Sequence, residues 1–278
     1  MTMKEIKKTK SSYKELSDEI WKKRFNSPFL IRKHLHRTQY YTIINNLEKM
    51  LPKPRSVLDY GCGQGVLSVL LAKKKYDVTG LDISEPNIEF ARNEAKKENL
   101  KINLISGDGE NLPFDDNSFD IVVASHVLEH LPDMNKGISE IKRVSKKAVI
   151  AVPTCMSLCS LSLLGGDSPW TISLKTPYAL PKGIIRLIWN IRNRGILENY
   201  AGKEEFPHPW YYPWKFKKIL EDNGFQIHKI EAGSLILPYI SYIIPQTIGF
   251  FKFIDRFRDK KMLCYLGYGT NYYVEVKK

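Results

Sequence analysis

Cysteine is scarce in this chain, with four residues in 278 and no regular spacing between them. This number argues against a disulfide-stabilised secreted protein, and no nearby pair of ligands supports a structural zinc site. The first residues also lack the apolar segment that follows the basic start of a secretory signal peptide. We therefore expect a cytoplasmic protein with reduced cysteines.

Acidic residues are outnumbered, with 30 Asp and Glu against 43 Lys and Arg, which gives a formal net charge of +13 at pH 7. Residues 1–54 alone contain 13 basic and 5 acidic side chains. A basic balance of this size favours an anionic partner, which can be a nucleic acid, a membrane surface or an acidic substrate. Composition alone does not choose among the three.

Three glycines alternate at the point where a predicted strand is followed by a predicted helix. Val57 and Leu58 end a short apolar run, which predicts a buried strand, and residues 66–72 open an apolar helical run. Between them stand an acidic residue and three alternating glycines, Asp59, Gly61, Gly63 and Gly65. Glycines allow a ligand to approach the backbone, and a helix start offers free N–H groups to an anion. A dinucleotide fingerprint would place its third glycine at position 66, where this chain has Val66.

These residues resemble motif I of the class I S-adenosylmethionine (SAM)-dependent methyltransferases. The acid two places before the first glycine, Asp59, suits a ligand that also carries an ammonium group. The stretch 107–130, with its ending Val127-Leu128-Glu129-His130-Leu131, resembles the ubiquinone and menaquinone biosynthesis branch of that family. The resemblance covers about residues 55–153, and its motifs are specific for SAM binding rather than for a substrate.

The resemblance implies an α/β fold, with a Rossmann-like seven-stranded, mostly parallel sheet and a terminal antiparallel strand. The alternating strand and helix patterns along the chain agree with this fold. We expect N-terminal helices in a segment at 1–50 and the class I methyltransferase domain at 51–278. Two segments, at about 154–212 and 232–262, are longer than the bare fold needs and are expected to fold as lid insertions.

The cofactor that the resemblance implies is SAM. Asp82 ends the second predicted strand, about twenty residues beyond the glycines, where a carboxylate can accept hydrogen bonds from both ribose hydroxyls. Ile83 offers an apolar surface to the adenine, and Asp108 lies where this class uses an acid to accept from the adenine amino group. The expected cofactor site is Asp59, Gly61, Gly63, Gly65, Asp82, Ile83, Asp108, Gly109 and Ser125.

His126 and His130 are the catalytic candidates. With Glu129 they stand at i, i+3 and i+4, so the three side chains could share one face of a helix. SAM carries its own electrophile, and a hydroxyl acceptor is helped by a general base. The alternative is that Glu129 and His130 only anchor the helix start. In the quinone O-methyltransferases that this motif resembles, an acid–x–x–Glu–His arrangement is associated with a divalent metal. Because His126 replaces the leading acid, we assign no metal ligand.

The motifs of two other methyltransferase classes are missing after the fourth predicted strand. Residues 125–128 match neither the Asp-x-Pro-Cys motif of RNA cytosine-5 methyltransferases nor the Asn/Asp-Pro-Pro-Tyr motif of amino-group methyltransferases. We therefore interpret Cys155 and Cys159 as buried apolar residues. The expected acceptor is a small or lipid-like molecule. An RNA methyltransferase, motivated by the charge, and a non-catalytic SAM-binding subunit are the alternatives, and nucleic acid is less favoured because the extra segments are apolar.

The N-terminal helix pattern contains a basic cluster, Arg32, Lys33, His34, His36 and Arg37. The favoured interpretation is a solvated helix face, and the alternative is a helix that lines the substrate mouth. In the first insertion, one helical face carries Ile184, Leu187, Ile188 and Ile191. Apolar lids beside basic residues favour an amphiphilic acceptor with an anionic part. The sequence does not indicate an oligomeric state.

An uncharged stretch, 233–251, lies in the second insertion and raises the question of a membrane span. A spanning helix needs about 20 predominantly apolar residues. Pro238, Pro245 and Gly249 interrupt the stretch, and the chain continues into its last strand pattern. We expect a lid over an apolar pocket or a patch that makes peripheral contact with a membrane.

Overall fold

A computed structural model describes residues 20–28, 30–167, 173–193, 195–199, 207–235, 248–260 and 262–277. The strands in these residues are β1 (Ser56–Tyr60), β2 (Asp77–Asp82), β3 (Asn103–Ser106), β4 (Ile121–Ser125), β5 (Lys147–Pro153), β6 (Gly195–Asn199), β7 (Pro207–Tyr211), β8 (Phe225–Ala232) and β9 (Gly269–Val276). The α-helices are α1 (Ile20–Phe25), α2 (Leu30–Leu47), α3 (Val66–Lys73), α4 (Glu85–Lys97), α5 (Met134–Val144), α6 (Leu158–Leu164), α7 (Thr176–Trp189), α8 (Pro213–Asp222) and α9 (Ile248–Ile254).

Seven strands form one sheet in the order β3-β2-β1-β4-β5-β9-β8. The first five pair in parallel, and β9 pairs antiparallel with both β5 and β8. The central strands are buried on both faces, which explains their continuous apolar sequences. This arrangement confirms the predicted sheet and its antiparallel final strand.

Alternate residues of the strands build a core on each face of the sheet. Leu58, Val122 and Tyr272 pack towards α5 and α8. Their chain neighbours Val57, Val123 and Tyr273 pack on the other face towards α2 and α3. The period of two along a strand therefore produces two apolar layers, and helices cover both.

The helix ends follow the sequence signals. The Ser84 side chain caps α4 by accepting a hydrogen bond from the Asn87 N–H at 3.3 Å, which is the role that serine favours directly before a helix. Asp133 caps α5 in the same way through the Lys136 N–H. Gly224 follows α8 with a φ of +83°, which favours glycine after a helix end. Ser84 and Asp133 therefore fix where α4 and α5 begin, and Gly224 fixes where α8 ends.

The first insertion folds, in its described residues, into α6, α7 and the β6–β7 hairpin. The two helices approach closely through small residues, because a Cβ at Gly183 would lie 2.0 Å from the Leu161 carbonyl oxygen. Of the four residues on the apolar face predicted for this helix, Leu187 packs against a buried cluster. The other three, Ile184, Ile188 and Ile191, are exposed.

The second insertion is described in part. Leu235 is buried, and residues 236–247 lie outside the described residues together with most of the predicted uncharged lid. In the part of the chain that is described, no helix has the length and apolar character needed to cross a membrane. The predicted lid therefore stays a prediction.

Candidate functional site

The residues from Gly61 to Gly65, which we call the glycine corner, turn the chain from β1 into α3. Gly61, Gly63 and Gly65 have φ angles of +71°, +52° and +72°, in the left-handed region that other residues rarely adopt. The N–H of Gly61 donates to the Leu81 carbonyl at 2.7 Å, which bends the corner across the end of β2. A Cβ at Gly61 would lie 2.2 Å from a methyl of Val127, so the corner also packs closely against the loop after β4.

Asp82 stands at the end of β2 beside this corner. Its Oδ2 accepts from the Gly63 N–H at 2.8 Å, and its Oδ1 accepts from the Ser84 N–H at 2.9 Å. Burial raises the pKa of this carboxyl, and the two N–H groups oppose the rise. Ile83, the next residue, is partly buried. The structure thus connects Asp82, the carboxylate predicted to bind the ribose, to the glycine turn nineteen residues earlier in the chain.

The loop after β3 brings Asp108 to the same edge of the sheet. Asp82 lies opposite Ser106 in the β2–β3 register, so Asp108 follows the end of the neighbouring strand. The Asp108 Oδ1 accepts from the Glu110 N–H at 2.9 Å. The Tyr60 hydroxyl donates to the Gly109 carbonyl at 2.8 Å, and a Cβ at Gly109 would lie 2.4 Å from that hydroxyl. These contacts fix the loop over the end of β1.

Asp59 is buried beneath the glycine corner. Its Oδ2 accepts from the Ser68 hydroxyl at 2.5 Å, which links β1 to α3. Burial, with a smaller contribution from the nearby charge of Asp82, raises the pKa of this carboxyl to about 7 against the opposing hydrogen bond from Ser68. The group is therefore half protonated near neutral pH and can respond to a cation.

We expect SAM binding to release a proton from Asp59. The ligand's ammonium group favours the ionised carboxylate, so affinity should be several-fold weaker near pH 6 than near pH 7, below the range in which the α-amino group itself loses its proton. Calorimetry in two buffers with different ionisation enthalpies measures both the affinity and the released proton. Asp59→Asn should remove most of this dependence. Equal proton release from the wild type and the variant would contradict the role of Asp59.

Ser125 ends β4, the parallel neighbour of β1 on the side away from β2. Its Oγ is buried and has no hydrogen-bond partner among the described residues. Because a buried hydroxyl without a partner is costly, this atom fits a site that a polar ligand completes. The corner, Asp82, Asp108 and Ser125 lie at the carboxyl ends of adjacent strands, where open α/β sheets bind ligands. The residues present therefore fit the expected cofactor.

His126 follows β4 in an uncommon backbone conformation. Its φ is +58°, while its N–H donates to the Ala151 carbonyl at 2.9 Å. Its ring lies against β9, where a Cβ at Gly269 would be 2.9 Å from the ring Cε1 and Nε2. The glycine thus leaves room for the imidazole, and the surrounding structure stabilises a conformation that costs energy for a non-glycine residue.

Glu129 lies between the two candidate histidines. Its side chain is fully buried, with Oε1 at 3.4 Å from His126 Nδ1 and 4.0 Å from His130 Nε2. The prediction that all three residues share one helix face is wrong, because Leu128–His130 is a single 3-10 turn and His126 precedes it. The side chains still converge, since the left-handed residue turns the chain back towards Glu129.

The helix α2 brings a further histidine to this region. Burial, together with the charges of Arg24, Arg32 and His126, lowers the pKa of His36 to about 3. The ring is therefore neutral near pH 7 and lies within electrostatic reach of His126. A neutral imidazole can both donate and accept a hydrogen bond.

The solvated face predicted for the basic cluster is wrong at His34. This residue is buried, and its Nε2 lies 2.6 Å from the Asp255 Oδ2. Asp255 also accepts from the Leu235 N–H at 2.9 Å through its other oxygen. Part of the cluster therefore attaches α2 to the second insertion.

The N-terminal helices also contact the cofactor corner, which the sequence did not indicate. The backbone N–H of Lys22 donates to the Gln64 side chain at 3.1 Å, and its Nζ donates to Glu94 at 2.6 Å. Burial, and to a lesser extent the charge of Asp59, raises the pKa of Tyr40 on α2. The contacts of Lys22 join residues 42 and 72 positions apart, so no local pattern could have predicted them.

The two cysteines after β5 are fully buried, as the sequence predicts. Burial raises the pKa of Cys155 to about 12 and also raises that of Cys159. A protonated thiol is a poor nucleophile, so neither side chain suits covalent catalysis. Within the described ranges, no group of three His, Cys, Asp or Glu residues could hold a metal ion.

A family model described as "Methyltransferase domain" matches residues 58–152. Among curated relatives, a ubiquinone biosynthesis O-methyltransferase from Coxiella burnetii is 45% identical over 86 residues, which are 31% of this chain and 37% of the relative. The match thus spans less than half of that relative. A demethylmenaquinone methyltransferase from Staphylococcus haemolyticus is 30% identical over 190 residues, which are 66% of this chain and 75% of the relative.

Solved structures share the fold. A magnesium protoporphyrin IX methyltransferase from Synechocystis PCC 6803, crystallised with SAH, aligns with a TM-score of 0.58 at 16% identity over 97% of this chain and 100% of its own. A SAM-dependent methyltransferase from Methanosarcina mazei aligns with a TM-score of 0.55 at 21% identity, covering 85% of this chain and 98% of its own. At these identities the likeness supports the fold alone.

Proposed function

We propose that this chain, which belongs to the class I SAM-dependent methyltransferases, transfers a methyl group from SAM to a small or lipid-like acceptor. The observation that carries the proposal is the hydrogen bond from Gly63 to Asp82, since it joins the two parts of the predicted cofactor site. A non-catalytic copy has no need to keep this corner together with Asp108 and the buried Ser125 hydroxyl.

Each of the three acidic residues of the site then has a separate role in binding SAM. Asp82 accepts from the ribose hydroxyls, Asp108 accepts from the adenine amino group, and Asp59 faces the ammonium group. SAM, when bound, supplies a methyl group on a sulfonium, which is already electrophilic. The protein therefore has to orient the acceptor and exclude water.

His126 is the proposed general base for a hydroxyl acceptor. Its Nδ1 faces the Glu129 carboxylate at 3.4 Å, which favours a proton on that nitrogen. The Nε2 is then left to take the proton of the acceptor hydroxyl. Neutral His36 can hydrogen-bond to the same acceptor without adding charge. Glu129 thereby positions the imidazole and stabilises the imidazolium that forms.

The acceptor that we propose is a quinone-like or other amphiphilic molecule. The names of two relatives, a ubiquinone biosynthesis O-methyltransferase and a demethylmenaquinone methyltransferase, support this class. The apolar residues of the first insertion give it further support, since a lipid-like tail needs apolar surface. The hairpin strand β7 packs beside the turn that contains Glu129, and its Tyr211 hydroxyl donates to the Met134 sulfur at the start of α5 at 3.7 Å. The insertion is thus connected to the catalytic candidates.

Methyl-labelled SAM tests this proposal directly. We would incubate the purified protein with an organic extract of membranes, or with total RNA, and measure where the label appears. Protein-dependent label in the organic phase is the expected result, and Asp82→Ala serves as the control with weakened cofactor binding. Label in RNA would favour the RNA methyltransferase, and SAM binding with no label in either fraction would favour the non-catalytic subunit.

A further inference from the structure

The helix α7 exposes apolar side chains on the side that faces away from its own protein. Ala179 and Gly183 point inwards and allow the close approach to α6. On the opposite side, the exposed fractions are 73% for Tyr178, 63% for Ile185, 62% for Ile188 and 86% for Trp189. Tyr178 lies seven residues before Ile185, and Ile188 and Trp189 lie three and four residues after it, so the four positions form one continuous stripe. We call these four residues the α7 outer face.

An exposed apolar stripe of this kind usually marks an interaction site. The face combines a tryptophan and a tyrosine with two isoleucines, the mixture enriched where proteins meet the membrane–water boundary. Such aromatic side chains bury an apolar ring and leave a polar atom in contact with water or headgroups. The composition of the face therefore fits a boundary between water and lipid.

The charge around the α7 outer face indicates the partner. The sequence from 168 to 197 contains no Asp or Glu and carries Lys175, Lys182, Arg186, Arg192 and Arg194. Lys175, Lys182 and Arg192 are exposed in the structure. Long cationic side chains beside an apolar face can reach phosphate groups while the apolar residues enter the acyl boundary. A second copy of this chain would instead bring like charges together.

We propose that the α7 outer face docks on the surface of an anionic lipid bilayer. The apolar and aromatic residues enter the headgroup boundary, and the exposed cations bind lipid phosphates. The helix lies along the surface and does not span it. This inference does not rest on the proposed function, because vesicle binding requires neither SAM nor an acceptor.

Vesicle co-sedimentation tests the docking with the full chain. We expect binding to vesicles of phosphatidylcholine with about one third phosphatidylglycerol, and much weaker binding to phosphatidylcholine alone or at high salt. Brominated lipids should quench the tryptophan fluorescence, and Trp189→Phe should remove most of the quenching. The SAM affinity of each protein, measured separately, shows whether the cofactor site is intact.

Ile188→Asp places a charge in the centre of the α7 outer face and should lower the vesicle partition coefficient about tenfold or more. Ile185→Ser is a milder variant for use if the first one unfolds. Leu51→Asp is the matched control, because Leu51 is 91% exposed and lies before β1, at the other end of the sheet. It should bind vesicles like the wild type.

Three results would overturn the proposal. The first is that the protein binds neither type of vesicle, and the second is that Ile188→Asp and Leu51→Asp bind vesicles equally well. The third is that Trp189 is shielded from a soluble quencher in the absence of lipid, which would show that another segment or a second copy covers the face. Sedimentation velocity then distinguishes the second copy from a segment of the same chain.

Discussion

Replacing Asp82 with alanine should weaken SAM binding by about ten- to a hundredfold, because the loss of a charge-assisted pair of hydrogen bonds costs roughly 1.5–3 kcal/mol. The variant also loses the acceptor for the Gly63 N–H, which holds the glycine corner to β2. Both losses act on the cofactor site, and calorimetry with SAM measures them together.

The fold should survive this change. Burial raises the pKa of Asp82, so the charged carboxylate is itself costly in the folded protein, and the side chain retains some access to water. Asp77→Ala is the matched control, since Asp77 begins the same strand and is exposed. Thermal unfolding of both variants should resemble that of the wild type. Unchanged SAM affinity in Asp82→Ala would show that the carboxylate does not contact the cofactor.

Replacing His126 should lower turnover about a hundredfold or more, the range expected for loss of a general base. Asparagine is the suitable replacement, because it tolerates the left-handed backbone better than alanine does. A histidine base must be unprotonated to act, so wild-type turnover falls on the acid side of the pH profile. His126→Asn should flatten that limb while SAM affinity changes little.

Two further variants separate catalysis from structure. His130→Asn should have a smaller effect, because His130 lies farther from the shared Glu129 oxygen than His126 does. His228→Asn, on β8, is the control, since its imidazole is exposed and contacts Glu275. If both the His126 and His130 variants keep full turnover on the true acceptor, these histidines serve only to hold the turn.

The sequence alone determined the elements that depend on local backbone chemistry. Three alternating glycines at Gly61, Gly63 and Gly65 permit the left-handed angles of a tight turn, so they predict the corner without any knowledge of the rest of the chain. Ser84 before a helix pattern predicts a cap for the same reason. The acid Asp82 was found by its distance from the glycines, because the strand–turn–helix–strand unit has a nearly fixed length.

The tertiary structure decided which distant side chains meet. His36 approaches His126, and His34 is buried against Asp255, through packing across 90 and 221 positions of the chain. A sequence pattern reports which residues share one element, whereas burial and ion pairing depend on what another element brings to it. The basic cluster therefore looked solvated from its own helix alone.

In the helix α7 the sequence pattern also failed to show which side chains are buried, but here apolar residues are exposed. The sequence predicted an apolar face that includes Ile184 and Ile188, but apolar residues occur on nearly every side of this helix, so the periodicity did not reveal which side is packed. Gly183 and Ala179 determine which side of α7 is packed, because only small residues let α6 approach closely. The larger Ile185 and Trp189 therefore face outwards. Close packing of backbones, a property of two helices together, thus determined the surface that this protein presents.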